Sequence, residues 1–100
     1  MATTTKALVR AAAATSSATL YTVPASTTTV ITNIVVTNTA GSAGTFTLLL
    51  DDVSIATTVS VGANDSTIID LKQVLATTKT IKGFASAITI NFHISGVEIA

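Results

Sequence analysis

The sequence contains no cysteine, a single proline, five glycines and four aromatic residues, and only ten of its 100 residues are charged. Without cysteine there is no disulfide framework, no thiolate zinc site and no cysteine nucleophile, and the redox compartment is left open. With Pro24 as the only proline, the chain is not linker-like low complexity, despite its Thr, Ala and Ser bias. Five basic and five acidic side chains cancel, so the clustered positive charge that neutralises nucleic-acid phosphates is missing, and no nucleic-acid partner is expected. No apolar run reaches the roughly eighteen residues of a membrane span, because Thr and Ser interrupt each one, and no membrane partner is expected.

A dispersed monomer of this size needs a surface of roughly 25–35% charged residues and a net charge away from zero. This chain has neither, so much of its surface is expected to be covered by sibling subunits or by a larger assembly. One hundred residues make one domain. About two thirds of the unfolded chain's surface can be buried at this length without covalent staples.

What is present points to strands. Thr, Val and Ile together supply 41 of the 100 residues, and β-branched side chains lose rotamer freedom in helices but suit a pleated sheet. Lys6 and Arg10 precede Ala11-Ala12-Ala13-Ala14, yet a secretory core needs about seven to fifteen strongly apolar residues, and here the alanines run into Thr15-Ser16-Ser17. Residues 1–18 are therefore read as an N-terminal arm or strand lying across a neighbour, and residues 19–100 as one sandwich domain.

From Leu20 onward, turns recur regularly. Leu20-Tyr21-Thr22-Val23 stops at Pro24-Ala25-Ser26, with Ser26 where glycine is the natural turn residue. Thr27 to Thr39 places Val30, Thr32, Ile34 and Val36 on one face and Ile31, Asn33, Val35 and Thr37 on the other, which predicts a central strand or one covered on both sides. Phe46, Leu48 and Leu50 alternate with Thr45, Thr47 and Leu49, and Asp51-Asp52 is the tight turn into Val53–Val61, where Val53, Ile55, Val59 and Val61 are in phase opposite Ala56, Thr58 and Ser60. Ser66 to Leu71 is a short strand, and Asp70 to Ala76 suits either one helical turn or an irregular crossing between sheets. Lys79 to Ala85 alternates Ile81, Gly83 and Ala85 against Thr80, Lys82 and Phe84. Ala87 to Ile99 carries Ile88, Ile90, Phe92 and Ile94 on one face, with a bulge predicted at Ser95-Gly96 to reset the phase for Val97 and Ile99. About eight strands with turn signals roughly every eight to twelve residues predict an all-β, antiparallel β-sandwich, jelly-roll or immunoglobulin-like.

Chemistry is sparse. His93 is the only histidine, lies on the polar face of its strand, and has no Gly-x-Ser-x-Gly elbow to serve, so it is read as a surface or interface residue. Asp51, Asp52, Asp65 and Asp70 lack calcium-loop spacing and are read as turn residues. Gly41-Ser42-Ala43-Gly44 has neither the Lys nor the following helix of a phosphate cradle, and Asn64-Asp65-Ser66 matches a glycosylation acceptor in composition only. Tyr21, Phe46, Phe84 and Phe92 are too few, and too buried by phase, for the aromatic platform of a sugar or single-strand binder. No catalytic residue, cofactor or metal is assigned. Lys72, Lys79 and Lys82 fall within eleven residues and are candidate contacts to acidic partners, or a solvated edge that discourages stray strand pairing.

Leu20-Tyr21-Thr22-Val23-Pro24-Ala25, the β-branched strand ending Val36-Thr37-Asn38-Thr39, the small-residue loop after it and the closing Ser95-Gly96-Val97-Glu98-Ile99 together resemble the small β-sandwich virion proteins of tailed bacteriophages. The resemblance covers Thr19 to the C-terminus. It implies a non-enzymatic virion protein, often homotrimeric, that acts as capsid decoration (cement) or as a piece of tail or fibre. The expected partners are sibling subunits and the major capsid protein or other virion proteins. Candidate interface residues are Lys6, Arg10, Tyr21, Lys72, Lys79 and Lys82, with Thr3 to Ala14 as the segment reaching the shell or a neighbour. A carbohydrate-binding module and a hydrolase are the competing readings from other classes.

Overall fold

The computed structural model describes residues 2–100. Alternating side chains produce eight strands: β1 (Thr3–Ala12), β2 (Ala18–Thr22), β3 (Thr28–Asn38), β4 (Gly44–Leu50), β5 (Val53–Val61), β6 (Ser66–Leu75), β7 (Thr80–Ala85) and β8 (Ile90–Ile99). They form two antiparallel four-stranded sheets, ordered β1-β8-β3-β6 and β2-β7-β4-β5. Strand spacing left two sandwich topologies open, and strand order decides between them. β1 lies beside β8, β2 beside β7, β3 beside β6 and β4 beside β5, so the chain is one long antiparallel ribbon folded over on itself, as in a jelly roll. An immunoglobulin order would keep the first two strands as neighbours in one sheet, and here they lie in different sheets. The sandwich begins at Thr3, since β1 completes the first sheet along the whole length of β8.

The core lies between the sheets. Ile31, Ile34, Val36, Ile90, Phe92 and Ile94 of the first sheet meet Phe46, Leu48, Val61 and Ile81 of the second, all essentially inaccessible. Phe46 and Phe92 meet edge to face, ring centroids 6.2 Å apart at 73°, the arrangement favoured by the ring quadrupoles. The β4–β5 hairpin turns on Asp51 and Asp52 alone, with φ of 54° and 60°. Two left-handed residues define the hairpin turn whose twist matches its strands, and Asp tolerates that conformation. Ser26 (φ 55°) takes the left-handed position at the Pro24 turn.

Several expected phases are corrected. β3 is central, flanked by β8 and β6, but only one of its faces is covered, and its alternation reverses at Thr32: Thr29 and Ile31 point inward, then Ile34, Val36 and Asn38. Residues 70–76 make neither a helical turn nor an irregular crossing, because β6 runs on to Leu75. In β5 the expected apolar face is broken twice, between Ser54 and Ala56 and again before Val59. Ala56 is thereby buried while Val53 and Ile55 are exposed. The second break sets Thr58 at φ 50°, and its amide is caught by the buried Thr47 Oγ1 at 3.0 Å. β8 starts at Ile90 rather than Ala87, and Ile88 stands out of the preceding turn.

The bulge predicted at Ser95-Gly96 occurs at that level but in the neighbouring strands. β8 keeps its alternation, with Ile90, Phe92, Ile94 and Gly96 buried, while the extra residues are Leu8 in β1 and Thr32 in β3. Val97 and Ile99 consequently lie on the outer face. Gly96 makes this possible: a Cβ there would collide with Val30 O and come within 2.8 Å of Leu8 Cδ1 and 3.3 Å of Ile31 Cα. Gly96→Ala is expected to lower stability in urea unfolding by about 1–3 kcal/mol. Gly41→Ala, with nothing within 4 Å of its added carbon, is expected to stay within about 0.5 kcal/mol of the parent.

Candidate functional site

Polar side chains converge between the sheets at one end of the sandwich. Past the bulge level, Thr29 of β3 and Glu98 of β8 pair across strands and face inward. Tyr21 enters from β2 of the other sheet, because the register shift at Leu20 turns it inward. Tyr21 Oη donates to Glu98 Oε2 at 2.5 Å and lies 2.8 Å from Thr29 Oγ1. The phenol has one proton, which the carboxylate takes, so the Thr29 hydroxyl donates to the phenol oxygen. Lys6 Nζ closes the group 3.5 Å from Glu98 Oε1. Burial and the neighbouring Glu98 carboxylate push the Tyr21 hydroxyl up to about 12, against the opposing effect of the Thr29 hydrogen bond. The cluster ties β2 of one sheet to β3 and β8 of the other, and every oxygen in it is engaged.

The opposite end has its own hub. Asn38 is buried, its Nδ2 donating to Ser42 O at 2.8 Å and to Val61 O and Gly62 O at 3.3 Å, while its Oδ1 accepts from Ala40 N at 3.0 Å. It organises the small-residue loop that contains Gly41 and Gly44.

The six candidate interface residues are dispersed. Lys6 is held by Glu98 and Tyr21 lies in the cluster just described. Lys79 and Lys82 face the hairpin tip, 3.6 Å from Asp51 and 2.7 Å from Asp52, so two of the three clustered lysines brace a turn. Lys72 stands apart from them on β6, in the other sheet. Arg10 is exposed on the outer face of the first sheet, in a row with His93, Val35 and Ile68. Phe84, expected to be buried, is half-exposed on the outer face of β7. Among the described residues, no group of three or more His, Asp or Glu side chains is placed to hold a metal ion.

Sequence reasoning missed Thr29, Asn38 and Glu98. The phase reset expected at Ser95-Gly96 for Val97 and Ile99 implies an outward Glu98, and its pairing with Lys6 depends on a β1–β8 register that no local signal encodes. Asn38 gave a faint signal, a lone amide ending a β-branched run before small residues.

Val53 and Ile55 of β5 and Ile68 and Val74 of β6 are exposed apolar side chains, and a shallow cavity of about 190 Å³ is lined by Leu50, Val53, Ser54, Ile55 and Gln73. Compared with known proteins, the sequence matches no family model and no characterised relative.

The polar cluster makes a pH-dependent contribution of definite sign. Because the Tyr21 hydroxyl rises from 10.0 unfolded to about 12 folded, its contribution is complete below pH 10 and is lost as pH rises toward 12. Tyr21→Phe is expected to cost about 1–3 kcal/mol at neutral pH, and the stability gap between parent and variant should narrow across that alkaline window in urea titrations.

Proposed function

We propose that the chain is a structural protein of a bacteriophage virion, a decoration (cement) protein that stabilises the head as a homotrimer through contacts among its copies and with the major capsid protein. In this reading it is made in the host cytoplasm, carries no cofactor and performs no reaction. The observation that carries it is the exterior: a neutral chain with one residue in ten charged leaves Val53, Ile55, Ile68, Val74 and Ile88 in solvent. Such a surface gains about 25 cal/mol for each Å² of apolar area that neighbours cover, and a shell supplies neighbours at fixed positions. The jelly roll supports the reading by analogy only, since capsid proteins and lectins both use it. With Lys6 occupied by Glu98, the charge contact to the shell falls to Arg10 on the outer face of β1.

Stained gels of purified particles test the proposal. A cement protein approaches the copy number of the shell protein, a few copies per particle indicate a tail or fibre component instead, and absence from particles refutes the virion reading.

A further inference from the structure

Each of the four edge strands carries a register break, β6 at the point where Leu71 and Lys72 lie opposite the single Thr32, and broken edges resist strand addition. That leaves the outer faces of the two sheets, and they differ. The second sheet's outer face is mostly hydroxyl-bearing, with Thr19, Thr22, Thr45 and Thr80 beside Leu49 and Phe84. The first sheet's is largely aliphatic. One row across β1, β8, β3 and β6 reads Thr5, Val97, Val30, Val74, and another reads Arg10, His93, Val35, Ile68. Ile68 and Val74 are 70% and 68% exposed. Between these rows runs a third, Ala7, Ser95, Asn33, Asp70. Arg10 and Asp70 thus stand on adjacent rows at opposite borders of the face, and neither is in an ion pair found among the described residues. Three strand spacings, roughly 14 Å, separate them within one copy.

We propose that two copies of this chain pack their first sheets face to face, about a two-fold axis parallel to the strands and lying between β3 and β8. This rotation lays β3 over the partner's β8 and β1 over the partner's β6. Val30 then meets the partner's Val97 near the centre. Arg10 lies one row, about 7 Å along the strand, from the partner's Asp70, a span its side chain covers. The symmetry repeats both contacts. A two-fold axis across the strands lays β1 over the partner's β1 instead, where the facing charge is the partner's Arg10, so the charge pattern selects the first arrangement. Strands of the two copies then run in the same direction, as aligned packing of twisted sheets requires. Four strands of about ten residues give each copy a flat face of about 600 Å² before side-chain relief is counted, close to the roughly 800 Å² per partner of a standard stable interface. The contact is isologous and closes as a dimer. It is independent of the virion reading, because purified protein tests it; within that reading the dimer is the free form, and Arg10 exchanges the partner's Asp70 for the shell on docking.

Sedimentation of the parent protein is expected to show a concentration-dependent monomer–dimer equilibrium. Arg10→Asp and Asp70→Arg each set like charges near one another twice per dimer and should weaken association about tenfold. The double variant R10D/D70R exchanges the signs and should restore it, a rescue that the separation of the two residues within one copy reserves for an intermolecular pair. In a mixture of isotope-labelled and unlabelled protein, filtered nuclear Overhauser spectra should connect the Val30 methyl groups to those of the partner's Val97. A parent monomeric at every concentration, a double variant as weak as the single ones, or intermolecular contacts confined to other surfaces would overturn the proposal.

Discussion

At Gly96 the first sheet has no room for a side chain, and the faces of its strands are sorted around that point. The bare Cα of Gly96 lets the backbone of β3 at Val30 and the side chain of Leu8 from β1 approach β8 from both sides. Each neighbour takes up one extra residue at that level and turns its faces over, while β8 does not. Two consequences follow from the same displacement. Thr29 turns inward beside Glu98, where Tyr21 reaches both, so the end of the sandwich is closed by a polar cluster instead of apolar packing. Val30 turns outward into a row with Val97 and Val74, so apolar surface that a simple alternation would have buried lies outside.

Backbone strain is distributed in an unusual way. Among the described residues every left-handed one is a non-glycine, Ser26, Asp51, Asp52, Thr58, Asn64 and Thr78, and no glycine has positive φ. Each such conformation costs on the order of 1–3 kcal/mol unless its surroundings hold it. Asp and Asn bear it most readily, and at Thr58 the buried Thr47 hydroxyl holds the displaced amide. Glycine is used for proximity. At Gly83 an added Cβ would lie 2.7 Å from Leu48 Cδ2 and 3.1 Å from Thr47 O, so the contact of β7 with β4 depends on its absence in the same way that the first sheet depends on Gly96.

This division explains which features could be read from the chain. Period-two alternation in β4 and β7 identified Phe46, Leu48, Leu50, Ile81, Gly83 and Ala85 as interior, because neither strand breaks its own alternation. The eight-strand count and the hairpin at Asp51-Asp52 were legible for the same local reason. Where a bulge intervenes, local pattern fails: Ile55 and Val53 look like core and lie outside, and Val30 changes places with Ile31. A bulge is a relation between two strands, and its position depends on pairing partners far away in sequence. The polar cluster was illegible for that reason too, since it brings together Lys6, Tyr21, Thr29 and Glu98 from four strands. A lone Gly within an apolar run did mark the right level, though the displaced residues belong to its neighbours.

The few charges serve alignment more than solubility. Lys79 and Lys82 hold β7 against the Asp51-Asp52 turn, and Lys6 holds β1 against β8 at Glu98. Exposed pairs of this kind contribute roughly 0–1 kcal/mol each, too little to stabilise the sandwich, but they favour one register over its neighbours, which matters where β-branched residues would pack nearly as well after a slip. Hydration of the exterior then falls to hydroxyl groups, chiefly those of the 21 threonines. Hydroxyls hydrate without building a repulsive field between copies, whereas a net charge keeps identical molecules apart. A surface of this composition therefore places no electrostatic barrier against close approach of its own copies, and selectivity among possible contacts is left to edge geometry, where each of the four edge strands, β1, β2, β5 and β6, carries a register break that obstructs ladder pairing.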